Sequence, residues 1–179
     1  MSGSSLFVLG GARSGKSRYA QARAEAAGGA PFFIATAEAF DDEMRERIAR
    51  HRADRDVRWT TVEAPHELPD AIAGHEGKGA VLLVDCLTLW VSNLLLADAD
   101  TARAGRRLCD AIARFDGTLI LVANEVGLGI VPDNALARRF RDAAGLLNQS
   151  VAAAVDEVVL ITAGLPLMLK ENRRTAQDR

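Results

Sequence analysis

The sequence predicts a single α/β domain with a mainly parallel sheet and helices on both faces. Two observations lead to this prediction: short apolar runs alternate with longer amphipathic segments, and each apolar run is followed by glycine or polar residues. Apolar runs without polar alternation are typical of strands buried on both faces. A chain of 179 residues fits one domain. We place that domain at residues 1–170 and a polar tail at residues 171–179.

The predicted strands and helices alternate along the chain. The five apolar runs predicted as strands are Leu6–Leu9, Phe32–Ile34, Ala80–Val84, Leu119–Val122 and Val158–Ile161. The segments predicted as helices are Lys16–Ala27, Asp41–Arg55, Thr101–Phe115 and Asn134–Val155. The last two carry apolar residues at helical spacing, and the second begins with three acidic residues, which suit a helix N-terminus. Sheets of this kind bind ligands beyond the carboxyl ends of their strands.

Composition argues against several classes of protein. Lys and Arg (22) nearly balance Asp and Glu (24), the net charge is -2, and aromatic residues make up 5%. Nucleic-acid binding usually needs a basic surface or aromatic platforms, so we expect no nucleic-acid binding.

The two cysteines cannot form a disulfide framework, and we predict that Cys86 and Cys109 are buried thiols. Polar residues interrupt the apolar stretch Val81–Ala97, so no membrane span is predicted. With no signal-peptide pattern at the start, we expect a reduced, cytoplasmic protein.

The most specific motif follows the first predicted strand. Residues 10–17 read GGARSGKS and fit the pattern G-x-x-x-x-G-K-[ST] where a strand ends and a helix begins. In such a loop, backbone N–H groups surround phosphate oxygens, and the helix N-terminus adds its dipole. We expect Lys16 to reach the β- and γ-phosphates and Ser17 to bind Mg²⁺. The motif therefore predicts a nucleoside triphosphate site.

Two other segments leave alternatives open. Asp85 ends an apolar run, where a carboxylate can hold Mg²⁺, although an Asp there can also cap the helix that follows. Because Lys16 and Ser17 imply a metal nearby, the metal role is favoured. In the loop Asn124–Gly129, either Glu125 orients a substrate hydroxyl or a metal-bound water, or the loop is a glycine-rich surface turn.

The predicted helix Asp41–Arg55 carries a histidine among arginines. His51 follows Ile48 by three residues and shares its helix face, so one interpretation is a histidine at the edge of an apolar stripe. The other is a nucleophile that attacks phosphorus, because an imidazole with a pKa near about 6.5 is largely neutral at pH 7. The neighbouring arginines (Arg50, Arg52 and Arg55) would then stabilise departing pyrophosphate.

A series of short motifs extends over nearly the whole chain, and their order and spacing together are highly specific. The motifs are residues 10–17, Ile34–Ala37, Asp41–Met44 with Arg47–Ile48 and His51–Arg52, Trp59–Thr60 with Glu63, Asp85–Trp90 with Asn93–Leu95, Asn124–Pro132, Ala137–Arg138 with Phe140–Asp142, Gly145 with Asn148–Gln149, and Gly164–Leu167 with Lys170. By these motifs the sequence resembles the bifunctional adenosylcobinamide kinases/adenosylcobinamide-phosphate guanylyltransferases of cobalamin biosynthesis.

This resemblance implies a RecA-like fold, a homotrimer and two reactions. In the first reaction, a nucleoside triphosphate (GTP, with ATP as an alternative) phosphorylates the aminopropanol hydroxyl of adenosylcobinamide. In the second, GTP guanylylates a histidine, and the GMP passes to adenosylcobinamide phosphate to give adenosylcobinamide-GDP. The family's histidine corresponds to His51; some members have two adjacent histidines, and here Arg50 replaces the first.

Together, motif and resemblance define a set of site residues. The predicted catalytic residues are His51 and Lys16, and the predicted Mg²⁺ ligands are Ser17 and Asp85. The implied GTP contacts are Gly10, Gly11, Ala12, Arg13, Ser14, Gly15, Lys16, Ser17, Ala35, Thr36, Ala37, Arg52, Ala53, Asp54, Arg55, Glu63 and Asp85. Two other functions stay open. One is a small-molecule kinase without guanylyl transfer; the other is a nucleotide-switched module acting on nucleic acid, against which charge and composition speak.

Overall fold

The structure, a computed structural model, describes residues 3–29, 31–38, 58–75, 77 and 79–171. One sheet contains seven strands: β1 (Ser4–Gly10), β2 (Pro31–Ala35), β3 (Thr60–Glu63), β4 (Val81–Asp85), β5 (Thr118–Asn124), β6 (Glu157–Thr162) and β7 (Leu165–Lys170). The helices within these ranges are α1 (Lys16–Ala26), α2 (Leu68–Ala73), α3 (Leu87–Leu96), α4 (Thr101–Arg114) and α5 (Ala135–Ala154).

The strand order is β3-β2-β4-β5-β1-β6-β7, and β7 alone among these strands runs antiparallel to its neighbour. Because the other six strands are parallel, their carboxyl ends share one edge of the sheet. The register places Gly10 opposite Asn124 and Ala35 opposite both Glu63 and Asp85. The residues predicted to bind ligand after β1, β2, β3, β4 and β5 therefore lie along this edge.

Helices cover both faces of the sheet, which confirms the predicted architecture. On one face, buried side chains of α2 to α5 form a core with strand residues such as Phe7 and Leu121. On the other face, Ala20 and Ala24 of α1 pack against strand residues that include Val8. The buried side chains of α1 are both alanine, so this helix can lie close to the sheet, directly after the loop at residues 10–17.

All five predicted strands are confirmed: β4 is shifted by one residue from the predicted Ala80–Val84, and the other four are longer than predicted by two or three residues. Helices α1, α4 and α5 confirm three predicted segments, and the side chains of Asp100 and Asn134 cap α4 and α5. The predicted helix Asp41–Arg55 lies outside the described residues. Four elements were not predicted: β3 and β7, which are the two edge strands, and the helices α2 and α3.

The prediction for the cysteines is correct for one and wrong for the other. Cys86, between β4 and α3, is buried. Cys109 is half-buried, because it lies on α4 and lines an open groove of about 520 Å³ between α4 and α5. None of the described helices is long and apolar enough to cross a lipid bilayer.

Candidate nucleotide site

The glycine-rich motif forms a loop between β1 and α1, as the sequence predicts. Gly15 precedes α1 with φ of 96°, a left-handed conformation that favours glycine. Gly10 is glycine for a different reason: a Cβ there would lie 2.4 Å from Ser14 Oγ and 2.7 Å from the carbonyl oxygen of Ile161. The two glycines thus fix the backbone path of the loop at both ends.

The loop leaves an anion-binding surface at the start of α1. Gly15 gives this end of the helix no side-chain cap, and the first turn carries no acidic residue, so its backbone N–H groups are available to an anion. The Lys16 ammonium folds back over the loop and donates to the carbonyl of Gly11 at 3.2 Å. Positive charge, free donors and the helix dipole therefore converge where the motif predicts phosphates.

Asp85 stands at the end of β4, on the same edge of the sheet. Burial raises the pKa of the neighbouring Cys86 thiol to about 11; the carboxylate of Asp85 adds to this rise, and the charge of Lys16 opposes it. The thiol is therefore protonated at neutral pH, so it is a poor nucleophile.

Thr36, after β2, is fully buried and joins two of the loops at this edge. Its hydroxyl donates to the carbonyl of Cys86 at 2.7 Å and accepts from the Cys86 N–H at 2.9 Å. The Asn93 amide donates to the carbonyls of Thr36 (2.8 Å) and Pro65 (3.1 Å), which adds the loop after β3. The Thr36 side chain thus has a structural role, while contacts from Ala35, Thr36 and Ala37 to GTP stay predictions.

Two polar residues of α3 are part of this framework and were missed as site residues. Asn93 is nearly completely buried, and Thr88 accepts a hydrogen bond from the backbone N–H of Asn124 at 2.7 Å. Both residues interrupt the apolar stretch Val81–Ala97. Because buried polar groups are almost always hydrogen-bonded, these interruptions were a usable signal for residues that tie loops together.

The loop after β5 is attached to the phosphate loop. The backbone N–H of Glu125 donates to the carbonyl of Gly10 at 3.0 Å, and the Glu125 carboxylate accepts from the N–H of Gly127 at 2.6 Å. Further along, Leu128 and Ile130 are 88% and 97% exposed. Glu125 therefore lies beside the phosphate loop, with exposed apolar side chains close by in the chain.

The structure brings most of the predicted site residues to one edge of the sheet. These are residues 10–17 after β1, Ala35–Ala37 after β2, Glu63 at the end of β3 and Asp85 at the end of β4. The Ser17 hydroxyl and the Asp85 carboxylate are hard oxygen donors, which suit Mg²⁺ when phosphates and waters supply the remaining ligands. The predicted residues His51, Arg52, Ala53, Asp54 and Arg55 lie outside the described part of the chain.

Comparison with known proteins assigns the chain to a family. The family model described as cobinamide kinase/cobinamide phosphate guanyltransferase matches residues 6–169. This chain belongs to that family. Relatives include the bifunctional adenosylcobalamin biosynthesis proteins CobP of Pseudomonas aeruginosa and CobU of Salmonella typhimurium. The first is 48% identical and the second 41%; each alignment covers 92% of this chain, and 96% and 99% of the respective relative.

The fold of this cobinamide kinase family member is shared with solved structures of low sequence identity. The P4 protein of bacteriophage phi6, solved in complex with ADP, superposes with a TM-score of 0.51 at 15% identity, covering 96% of this chain and 55% of that chain. An identity this low shows the fold alone. It agrees with the predicted RecA-like architecture, in which the phosphate loop follows a central parallel strand.

Proposed function

We propose that this chain phosphorylates adenosylcobinamide and then transfers GMP to the product. The observation that carries the proposal is the phosphate loop at residues 10–17, positioned between β1 and α1 within a family match that covers residues 6–169. Lys16 supplies a positive charge over the loop, and Ser17 and Asp85 would supply oxygen ligands at the same edge of the sheet.

In the first reaction, the loop binds the triphosphate, and Lys16 moves from the Gly11 carbonyl to the β- and γ-phosphates. The aminopropanol hydroxyl of adenosylcobinamide attacks the γ-phosphorus, the bond to the β-phosphate oxygen breaks, and the hydroxyl proton leaves. Glu125 is the proposed acceptor or orienting group, because its backbone is bonded to Gly10. Bound Mg²⁺ would neutralise charge on the phosphates. GTP is the proposed donor, with ATP as the alternative.

In the second reaction, His51 is the proposed nucleophile. An imidazole nitrogen attacks the α-phosphorus of GTP, the bond to the β-phosphate breaks, and pyrophosphate leaves, aided by Arg52 and Arg55. A phosphate oxygen of adenosylcobinamide phosphate then attacks the same phosphorus. The phosphorus–nitrogen bond breaks, adenosylcobinamide-GDP forms and His51 is restored. The covalent step thus divides one difficult transfer into two.

The test is labelling with GTP that carries ³²P at the α-position. The native protein should acquire acid-labile, alkali-stable label, and His51→Ala should acquire none. His75→Ala is a matched control, because His75 Nδ1–H donates to the Ala71 carbonyl (2.8 Å) and the ring packs on Phe32, so it has a local structural role. Label on His51→Ala, or none on the native protein, refutes the histidine assignment. In a parallel experiment, GTP with ³²P at the γ-position should label adenosylcobinamide. If it does so while the protein takes up no label from the α-position, the chain is a kinase alone.

A homotrimer and a cytoplasmic location complete the proposal. The family resemblance suggests the trimer, and the exposed apolar side chains Leu165, Leu167 and Leu169 of β7 offer surface that association would bury. Light scattering on the purified protein should give about three times the chain mass of 19.1 kDa. A monomer in solution would contradict this part. The free thiols suit a reducing compartment.

A further inference from the structure

The turn between β6 and β7 contacts the phosphate loop through backbone atoms. The N–H of Gly164 donates to the carbonyl of Ser14 at 2.8 Å. A Cβ built on Gly15 would lie 3.3 Å from the Cα of Gly164, so the two glycines pack backbone against backbone. The turn therefore touches the loop at the two residues that precede Lys16.

The turn has a conformation that holds this contact in place. Thr162 and Leu165 are paired across the hairpin, and the two residues between them have positive φ: 52° for Ala163 and 80° for Gly164. Two consecutive residues with positive φ form the tight turn whose twist matches that of the flanking strands. Gly164 meets this requirement without strain, and its N–H consequently points at the phosphate loop.

The other end of the hairpin is fixed to the C-terminus of α5. The Lys170 ammonium donates to the carbonyls of Ala152 (3.0 Å), Ala153 (3.1 Å) and Val155. A cation at this position satisfies carbonyls that the helix leaves free and complements its dipole. By contrast, residues Leu165–Leu169 are all exposed, so within this chain β7 contributes little to the core.

We propose that the β6–β7 hairpin positions the phosphate loop, with Gly164 as the positioning residue. Lys170 anchors the base of the hairpin, and Gly164 at its tip orients the carbonyl of Ser14, so that the N–H groups beyond it face the phosphates. It rests on the nucleotide-binding part of the proposed function and is independent of GMP transfer.

The first test compares two glycines with the same backbone strain. Gly164→Ala and Gly28→Ala both place a Cβ at a φ near 80° (80° and 81°). A Cβ on Gly28 meets nothing within 4 Å, and one on Gly164 lies 3.8 Å from Arg18 Nη2, an ordinary contact. Both variants should therefore lose similar thermal stability. We expect KM for the nucleotide to rise about tenfold in Gly164→Ala alone, with kcat changed less than about twofold, because the loop binds ground and transition states alike.

Gly164→Asn tests whether backbone strain in the turn causes the higher KM of Gly164→Ala, because Asn adopts positive φ more readily than Ala. It should recover most of the nucleotide affinity. Equal KM values for Gly164→Ala, Gly28→Ala and the native protein would overturn the proposal, as would an equal rise in both Ala variants.

Hydrogen exchange supplies a second, reciprocal test on the native protein. If the hairpin tip stabilises the nucleotide-bound loop, binding must stabilise the tip by the same free energy. Addition of a non-hydrolysable GTP analogue with Mg²⁺ should slow exchange at the Gly164 amide and leave the Gly28 amide unchanged. Unaltered exchange at Gly164 in the saturated protein would refute the coupling. Because hydrogen exchange needs nucleotide binding alone, and KM and kcat are measured in the kinase reaction, failure of guanylylation would leave both readouts interpretable.

Discussion

Replacing the buried hydroxyl of Thr36 tests the framework that holds the site together. Thr36→Val keeps the shape of the side chain and removes two hydrogen bonds to Cys86. The Cys86 carbonyl keeps a partner, because it also accepts from the backbone N–H of Trp90 at 3.2 Å. The Cys86 N–H, in contrast, loses the partner that the structure gives it. The variant thus leaves one buried donor unsatisfied.

The size of the effect follows from these two losses. An orphaned buried N–H costs about 1–3 kcal/mol, and the second hydrogen bond contributes about 1 kcal/mol. Together they predict a decrease of about 2–4 kcal/mol in the free energy of unfolding. For a protein of this length, about 2–4 °C in Tm corresponds to each kcal/mol, so we expect Tm to fall by roughly 4–16 °C.

Urea unfolding at equilibrium measures the change, with Thr36→Ser and Thr118→Val as controls. Thr36→Ser keeps the hydroxyl and removes a methyl group, so it should cost about 1 kcal/mol. Thr118→Val removes a half-buried hydroxyl that accepts a long bond of 3.4 Å from Ser4, and it should change little. The reasoning is refuted if Thr36→Val is as stable as Thr36→Ser. Because the network adjoins Asp85, we also expect weaker Mg²⁺-dependent nucleotide binding in Thr36→Val.

Three further predictions follow from individual side chains. Lys16→Ala should lower kcat by at least about 100-fold while Tm stays nearly constant, since the ammonium contacts the Gly11 carbonyl at the surface; a variant with native kcat would exclude Lys16 from the reaction. Lys170→Met should destabilise the protein by up to about 2 kcal/mol in urea unfolding, and Lys170→Arg by less, because the charge at the end of α5 is kept; equal effects would contradict the charge argument. A thiol reagent at pH 8 should label Cys109 and spare Cys86 until the protein unfolds, because burial raises the Cys86 pKa to about 11. Burial also raises the pKa of Cys109, so its labelling rate should increase with pH as the thiolate fraction grows; two reactive thiols in the native state would be the contrary result.

The central strands of the sheet could be predicted from the sequence, but the edge strands β3 and β7 could not. The central strands are apolar on both faces, and this pattern survives in the sequence without knowledge of neighbours. β3 is a short edge strand with exposed Thr60 and Glu63, and β7 is exposed from Leu165 to Leu169. The exposed polar residues of β3 give it the composition of a loop, and Pro166 interrupts the apolar run of β7, because proline is confined to edge strands and irregular positions. The stretch Val81–Ala97 contains strand β4 and helix α3; Asp85 marks the end of the strand, but the apolar residues on both sides of it give α3 little amphipathic signal of its own.

For the candidate site, local motifs could be predicted but interactions between distant residues could not. The phosphate loop is one continuous segment, so its residue types and order carry its geometry. The role of Thr36 depends on Cys86, 50 residues away, and the role of Gly164 depends on Ser14, 150 residues away. Spacings of this length leave no periodic signal. They are set by strand order, which the sequence pattern alone does not determine.

The burial of Trp90 gives the protein an intrinsic optical reporter. Its side chain is 1% exposed, and its indole N–H donates to the carbonyl of His66 at 2.7 Å. An indole shielded from water emits at shorter wavelength than a hydrated one, so loss of α3 packing should shift fluorescence to the red. With two tryptophans in the chain, Trp59→Phe would leave Trp90 as the sole emitter. Stopped-flow fluorescence could then follow how the loop after β3 responds when nucleotide is added.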